Sequence, residues 1–125
     1  MEIKTTFSIL PIYGQVAILD AETADIPEWK TGNESCVAAA QAILVATQAD
    51  TAGRVTVHVS TSNDEESRGE LKIFSGTISI PSKKLQVGNI ISGELTSFDL
   101  GASEYSIHIY ANRVEEPSEI RIVLD

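Results

Sequence analysis

Residues 54–60, Arg-Val-Thr-Val-His-Val-Ser, alternate polar and apolar side chains without interruption. Successive side chains of a strand point to opposite faces, so Val55, Val57 and Val59 line one face and Thr56, His58 and Ser60 the other. The same period recurs at residues 104–110, where Tyr105, Ile107 and Ile109 oppose Ser106, His108 and Tyr110. It recurs again at 119–124, with Ile120, Ile122 and Leu124 on one side. Further strands are predicted at residues 2–10, ended by Pro11, at 13–19, and at 43–47. Short pieces at 70–74 and 76–80 meet at a bend or bulge near Ser75 and Gly76, and a longer strand covers 89–98, with Gly93 as its candidate bend. In the segment 13–19 both faces carry apolar groups, so its buried side stays open. Residues 34–42 form the one plausible helical turn, because Glu, Ala and Gln favour helix. Residues 20–33, 62–69, 81–88 and 112–118 are predicted connections. Strands at near-regular spacing with so little helix predict an all-β fold: an antiparallel β-sandwich of about eight strands with at most one or two short helices.

The 125 residues predict a single domain spanning 1–125, large enough to bury roughly two thirds of its unfolded surface. No apolar run approaches the roughly 20 residues a membrane helix needs. The first residues lack the basic and apolar regions of a leader, so a cytoplasmic protein is expected, with no membrane association. Cys36 is the single cysteine and excludes an internal disulfide. Followed by Val37 and three alanines, it reads as a buried and inert thiol.

Charge changes the picture more. Eighteen acidic residues face nine basic ones, for a net charge of −9. Asp20, Glu22, Asp25, Glu28 and Glu34 crowd one stretch opposed only by Lys30, and Asp64, Glu65, Glu66 and Glu70 crowd another. Such a surface repels phosphate, which argues against direct nucleic-acid binding, and it attracts a basic protein. An excess of acid also simply keeps a small protein soluble.

Chemistry is harder to find. His58 and His108 are the only imidazoles, each on the polar side of a strand, and they read as surface histidines. No HxH, HExxH or Cys/His spacing marks a metal site, and no GxGxxG or GxxxxGK[ST] marks a phosphate loop. Neither a metal nor an organic cofactor is therefore expected. Asp64-Glu65-Glu66 lacks the order of a calcium loop. No GxSxG elbow occurs, and the histidines are poorly placed for a triad, so the chain is not expected to be an enzyme. The lone Trp29 sits inside the acidic loop, either as an interface anchor or folded back to pin its own loop. Tyr13, Tyr105 and Tyr110 read as core or sheet-surface residues. Tyr105, just past the Leu100-Gly101 turn, is placed for a structural hydroxyl bond at a strand corner.

Several of these positions together resemble the competence protein J family, whose founding members are nuclease inhibitors. The resemblance runs from Tyr13-x-Gln15 and Asp20 through Trp29, Gly32 and Ala38-Ala39-Ala40 leading to Ile43, then to Phe98-Asp99-Leu100, Gly101 and Tyr105. One departure is the insertion of Ala102, Ser103 and Glu104 between Gly101 and Tyr105. The resemblance implies a small acidic protein that binds and restrains a nuclease. The physical logic agrees: a nuclease groove is basic because it holds phosphates, and an acidic protein can occupy it without any catalytic residue. The matched positions look structural, so the predicted partner-binding residues rest on charge and exposure instead: Asp25, Glu28, Trp29 and Glu34, then Asp64, Glu65 and Glu66. Two alternatives stay open. One is a carbohydrate- or ligand-binding sandwich using Trp29 and Tyr110 as platforms; the other is a hydrolase with carboxylate catalysts.

Overall fold

The structure is a computed structural model and describes residues 3–61 and 70–125. Two five-stranded sheets pack face to face. The strands are β1 (Lys4–Ile9), β2 (Gln15–Asp20), β3 (Cys36–Ala38), β4 (Ala42–Ala46), β5 (Val55–Ser60), β6 (Leu71–Ser79), β7 (Lys84–Asn89), β8 (Glu94–Asp99), β9 (Glu104–Ala111) and β10 (Glu119–Leu124). The first sheet runs β1-β5-β10-β9-β6 and the second β3-β4-β2-β7-β8. Among the described residues all pairs are antiparallel except β5 with β10, which are parallel. The sandwich expected from the alternating segments is the architecture found. The only helical pieces among the described residues are single turns at Ile12–Gly14 and Asp50–Ala52.

Alternation dictates the core. Val55, Val57, Val59, Ile107, Ile109, Ile120, Ile122 and Leu124 are all buried and belong to one cluster between the sheets. The second sheet contributes Val16, Ile18, Ile43, Val45, Leu85 and Val87 to the same cluster. Each such side chain contributes on the order of 1.5–3 kcal/mol relative to leaving it in water. The two sheets are also fastened along an edge. Phe7 of β1 and Phe98 of β8 meet with ring centroids 6.1 Å apart. Beside them the Glu94 carboxylate accepts hydrogen bonds from the Leu10 amide at 2.9 Å and the Arg54 guanidinium at 2.5 Å.

Five local expectations are corrected. Residues 34–42 are not helical: β3 pairs with β4, Cys36 opposite Val45 and Ala38 opposite Ile43, and a tight turn closed by the Ala39 amide on the Ala42 carbonyl joins them. Pairing with a buried strand outweighs the modest helix propensity of alanine. Residues 84–89 are a strand rather than part of a connection, and the run 89–98 is broken, because the chain turns over after Asn89. The pieces around Ser75 and Gly76 form one strand, with its register shift between Lys72 and Phe74. Tyr13 belongs to neither core nor sheet, as described below.

The corner expectation at Tyr105 holds. Its hydroxyl oxygen accepts hydrogen bonds from the Gly101 amide at 3.2 Å and the Ala102 amide at 3.1 Å. Ala102 and Ser103 lie within this corner, and Glu104 already opens β9.

Candidate interaction site

Strand β2 is buried along its entire length, which resolves its ambiguous pattern. Val16 and Ile18 face the central core, while Ala17 and Leu19 face outward with Ala42 and Leu44. That outer face is roofed by the acidic loop. Ile26 and Trp29 pack onto it, joined by Val37, Ile90 and Leu95. The indole N–H of Trp29 donates to Gln15 Oε1 at 2.9 Å. Trp29 is thus half-buried and pins its own loop to the sheet. A large amphipathic ring suits such a position, because it covers apolar area and satisfies its one donor.

The loop is tied at both ends by carboxylates. Asp20, only 2% exposed, accepts from the Ser82 hydroxyl at 2.7 Å and from the amides of Ser82 and Glu22, each at 3.0 Å. Burial raises its pKa, but these hydrogen bonds to the charged form prevail and hold it below its ordinary value. Glu34 folds back on its own loop and accepts from the Lys30 amide at 2.8 Å, the Thr31 hydroxyl at 2.8 Å and the Thr31 amide. These bonds, led by the one from Lys30, pull its pKa from 4.5 down to about 2. Asp25 and Glu28, by contrast, are exposed. The structure therefore places the four predicted residues on one loop in different roles. Trp29 and Glu34 shape it, and Asp25 and Glu28 present charge. Asp64, Glu65 and Glu66 lie outside the described residues.

A pH dependence follows from these bonds. Glu94 is also lowered below 4.5, chiefly by the Leu10 amide and then by Arg54. A depressed carboxylate stabilises the fold above its unfolded pKa, and the contribution is lost as pH falls through its folded pKa. The urea midpoint is therefore expected to fall as pH drops from about 4.5 toward about 2. The fall should be shallower in Glu34→Gln, and an unchanged acid limb in that variant would contradict the loop-tying role of Glu34.

One end of the sandwich holds a feature that sequence reasoning missed. Tyr13 is 80% exposed, and Val114 is 59% exposed. Tyr13 adopts φ 61° and ψ 21°, a left-handed conformation that a bulky residue rarely takes. Gly14 follows at φ +64°, and a Cβ there would lie 3.2 Å from the Thr47 carbonyl oxygen. The turn is held from below by Asn89, which is fully buried. Its Nδ2 donates to the Ile12 and Gln15 carbonyls, each at 3.0 Å, bracketing Tyr13 and Gly14. The Gly14 carbonyl accepts from the Thr47 amide at 2.8 Å. Tyr13 and Val114 line a groove of about 570 Å³ together with Thr47, Glu34, Glu115 and Glu116. A second groove of about 410 Å³, lined by Glu28 and Val37 among others, shares Glu34 with the first. No periodicity could have exposed Tyr13. The only sequence signal was its place before a glycine between two strands.

His58 and His108 lie on β5 and β9, which β10 separates. His58 Nε2 is 2.6 Å from Glu119 Oε2 and its Nδ1 2.9 Å from Thr6 Oγ1, while His108 Nδ1 is 3.1 Å from Ser75 Oγ. Among the described residues no group of three or more His, Cys, Asp or Glu side chains converges as a metal site would require. Burial pushes the Cys36 thiol up to about 12, which leaves it unreactive at neutral pH. No helix among the described residues is long and apolar enough to cross a membrane.

Comparison of the whole architecture adds a further observation. The crystal structure of ComJ, inhibitor of the DNA degrading activity of NucA, from Bacillus subtilis, superposes with a TM-score of 0.80. The chain shares the fold of ComJ. The match covers 99% of this chain and 97% of that one, at 16% sequence identity. A structure described as Crocagin biosynthetic gene J matches with a TM-score of 0.60 and 10% identity, covering 99% of this chain and 96% of that one. No family model matches the sequence, and no curated protein matches it. The ComJ likeness accords with the resemblance read from the residues. Of the positions carrying that resemblance, Gln15, Asp20, Trp29 and Tyr105 are fasteners of loop and corner.

Proposed function

We propose that this protein is a non-catalytic inhibitor whose acidic loop, residues 20–34, occupies the basic groove of a partner protein, a nuclease. The observation that carries this reading is the way the loop is built. Trp29, Asp20 and Glu34 hold it as a fixed shelf on the second sheet, so Asp25 and Glu28 project from a pre-ordered surface. A pre-ordered surface loses little entropy on binding. The likeness in fold to ComJ supports the reading, as does the net charge of −9. The carbohydrate alternative finds less support. Trp29 lies over the second sheet, whereas Tyr110 is on β9 of the first, with the Lys72 ammonium 5.6 Å from its ring centroid. The two aromatics do not form one platform.

The test is inhibition of DNA degradation by nucleases separated from the source cell. One nuclease is expected to be inhibited stoichiometrically. Rim charges chiefly set association rates, so Asp25→Asn combined with Glu28→Gln should slow association about 10-fold and flatten its salt dependence. Failure to inhibit any nuclease would overturn the proposal.

A further inference from the structure

We propose that the groove between Tyr13 and Val114 is the anchoring pocket of this surface and takes an arginine-bearing, basic segment of the partner protein. The inference rests on the inhibitor reading above and names the chemistry of its contact.

Three observations point to this occupant. First, the pocket walls are unusual for a surface. Tyr13 and Val114 are exposed, at 80% and 59%, and both line one groove. Aromatic side chains at such positions are the commonest binding hot spots. Second, the aromatic is presented rather than merely uncovered. Its left-handed backbone is held by the Asn89 carboxamide on both sides and by the Thr47 amide on Gly14. Such a conformation costs free energy and persists only where surrounding bonds over-determine it.

Third, charge selects the occupant. Glu34, Glu115 and Glu116 line the groove, and among the described residues no lysine or arginine does. Arg113 is the cation nearest in sequence to Val114. Its guanidinium is engaged with the carbonyls of Glu115 and Glu116 and with Gln48 Oε1. Glu34 remains ionised far into acid. A guanidinium entering here would stack on the Tyr13 ring, a cation–π contact, and present its fork to the Glu115 and Glu116 carboxylates. Its aliphatic stem would lie along Val114. A lysine would gain the charge but not the planar stacking. The volume of about 570 Å³ accommodates one such side chain with its flanking backbone.

The experiment has two arms. In the first, the isotopically labelled protein is titrated with acetyl-Arg-Leu-Arg-amide and, as control, with acetyl-Glu-Leu-Glu-amide, and backbone amide shifts are followed. The basic peptide should move Gly14, Ala46, Thr47 and Val114, and the acidic one should move none. Tyr13→Asn, which tolerates a left-handed backbone, should abolish the shifts, whereas Tyr13→Phe should keep them. Glu115→Gln with Glu116→Gln should weaken the peptide about 10-fold. In the second arm, Tyr13→Asn is assayed against the inhibited nuclease and should weaken inhibition at least about 10-fold. Peptide shifts confined to residues 20–31, or inhibition undiminished by Tyr13→Asn, would overturn the pocket and leave the inhibitor reading standing. Peptide binding in the groove with no nuclease inhibited would overturn the inhibitor reading instead.

Discussion

Asn89→Ala is expected to lower unfolding stability by about 3 kcal/mol, measured as a shift of the urea midpoint at unchanged slope. Four backbone groups lose their partner together. The carbonyls of Ile12 and Gln15 lose a donor, and the amides of Ile91 and Ser92 lose the Oδ1 acceptor that stands 3.1 and 3.0 Å away. An unsatisfied buried group costs about 1–3 kcal/mol, and some of the four regain water through the space vacated. The same side chain joins the turn that carries Tyr13 to the turn after β7, so the loss is local as well as global. Hydrogen exchange at Gly14 should therefore accelerate beyond the change in global stability. If the urea midpoint of Asn89→Ala matched that of the parent protein, Asn89 would not be the clamp described.

Gly88→Ala should cost about 3 kcal/mol or more, by a different mechanism. Gly88 of β7 pairs with Leu95 of β8. A Cβ at position 88 would stand 2.0 Å from the Glu94 carbonyl oxygen and 2.9 Å from the Leu95 Cα. Both are backbone atoms, so no side-chain rotation relieves the overlap. Strand β8 is at the edge of its sheet, and displacing it breaks the Phe7–Phe98 contact and the bonds of Glu94 to Leu10 and Arg54. The amides of Thr96 and Ser97 should lose exchange protection first. Gly101→Ala is the matched control, because a Cβ there meets nothing within 4 Å. It should stay within about 0.5 kcal/mol of the parent. Equal stability of the two alanine variants would refute the close approach at Gly88.

The sandwich was legible where one face of a strand is buried and the other wet. Residues 55–60 and 104–111 alternate because the pleat puts alternate side chains on the core and open faces of the first sheet. In 119–124 the period is already blurred by Val123, because β10, central in that sheet, is buried from Ile120 to Leu124. The hydroxyl bond of Tyr105 was legible too, since a tyrosine just past a glycine turn has few other roles. The acidic loop was legible as a charged, aperiodic run with a lone tryptophan.

Where both faces are covered, the period vanishes. Strand β2 is buried throughout because the loop roofs its outer side, and neither sequence segment announces the other. Strand β3 exists because Cys36 and Ala38 find Val45 and Ile43, a pairing that overrides local helix propensity. Glu34 looks in sequence like one more surface carboxylate, yet its oxygens are used by the loop itself. Tyr13 looks like a sheet residue, yet it stands in solvent. Asn89, 76 positions away, fixes the backbone on either side of it. What the sequence determined by itself was the strand class, the core faces and the sign of the surface charge, because these depend on local period and composition. Which groups stand exposed together was decided only by tertiary structure, because hydrogen bonds and packing between distant segments set it.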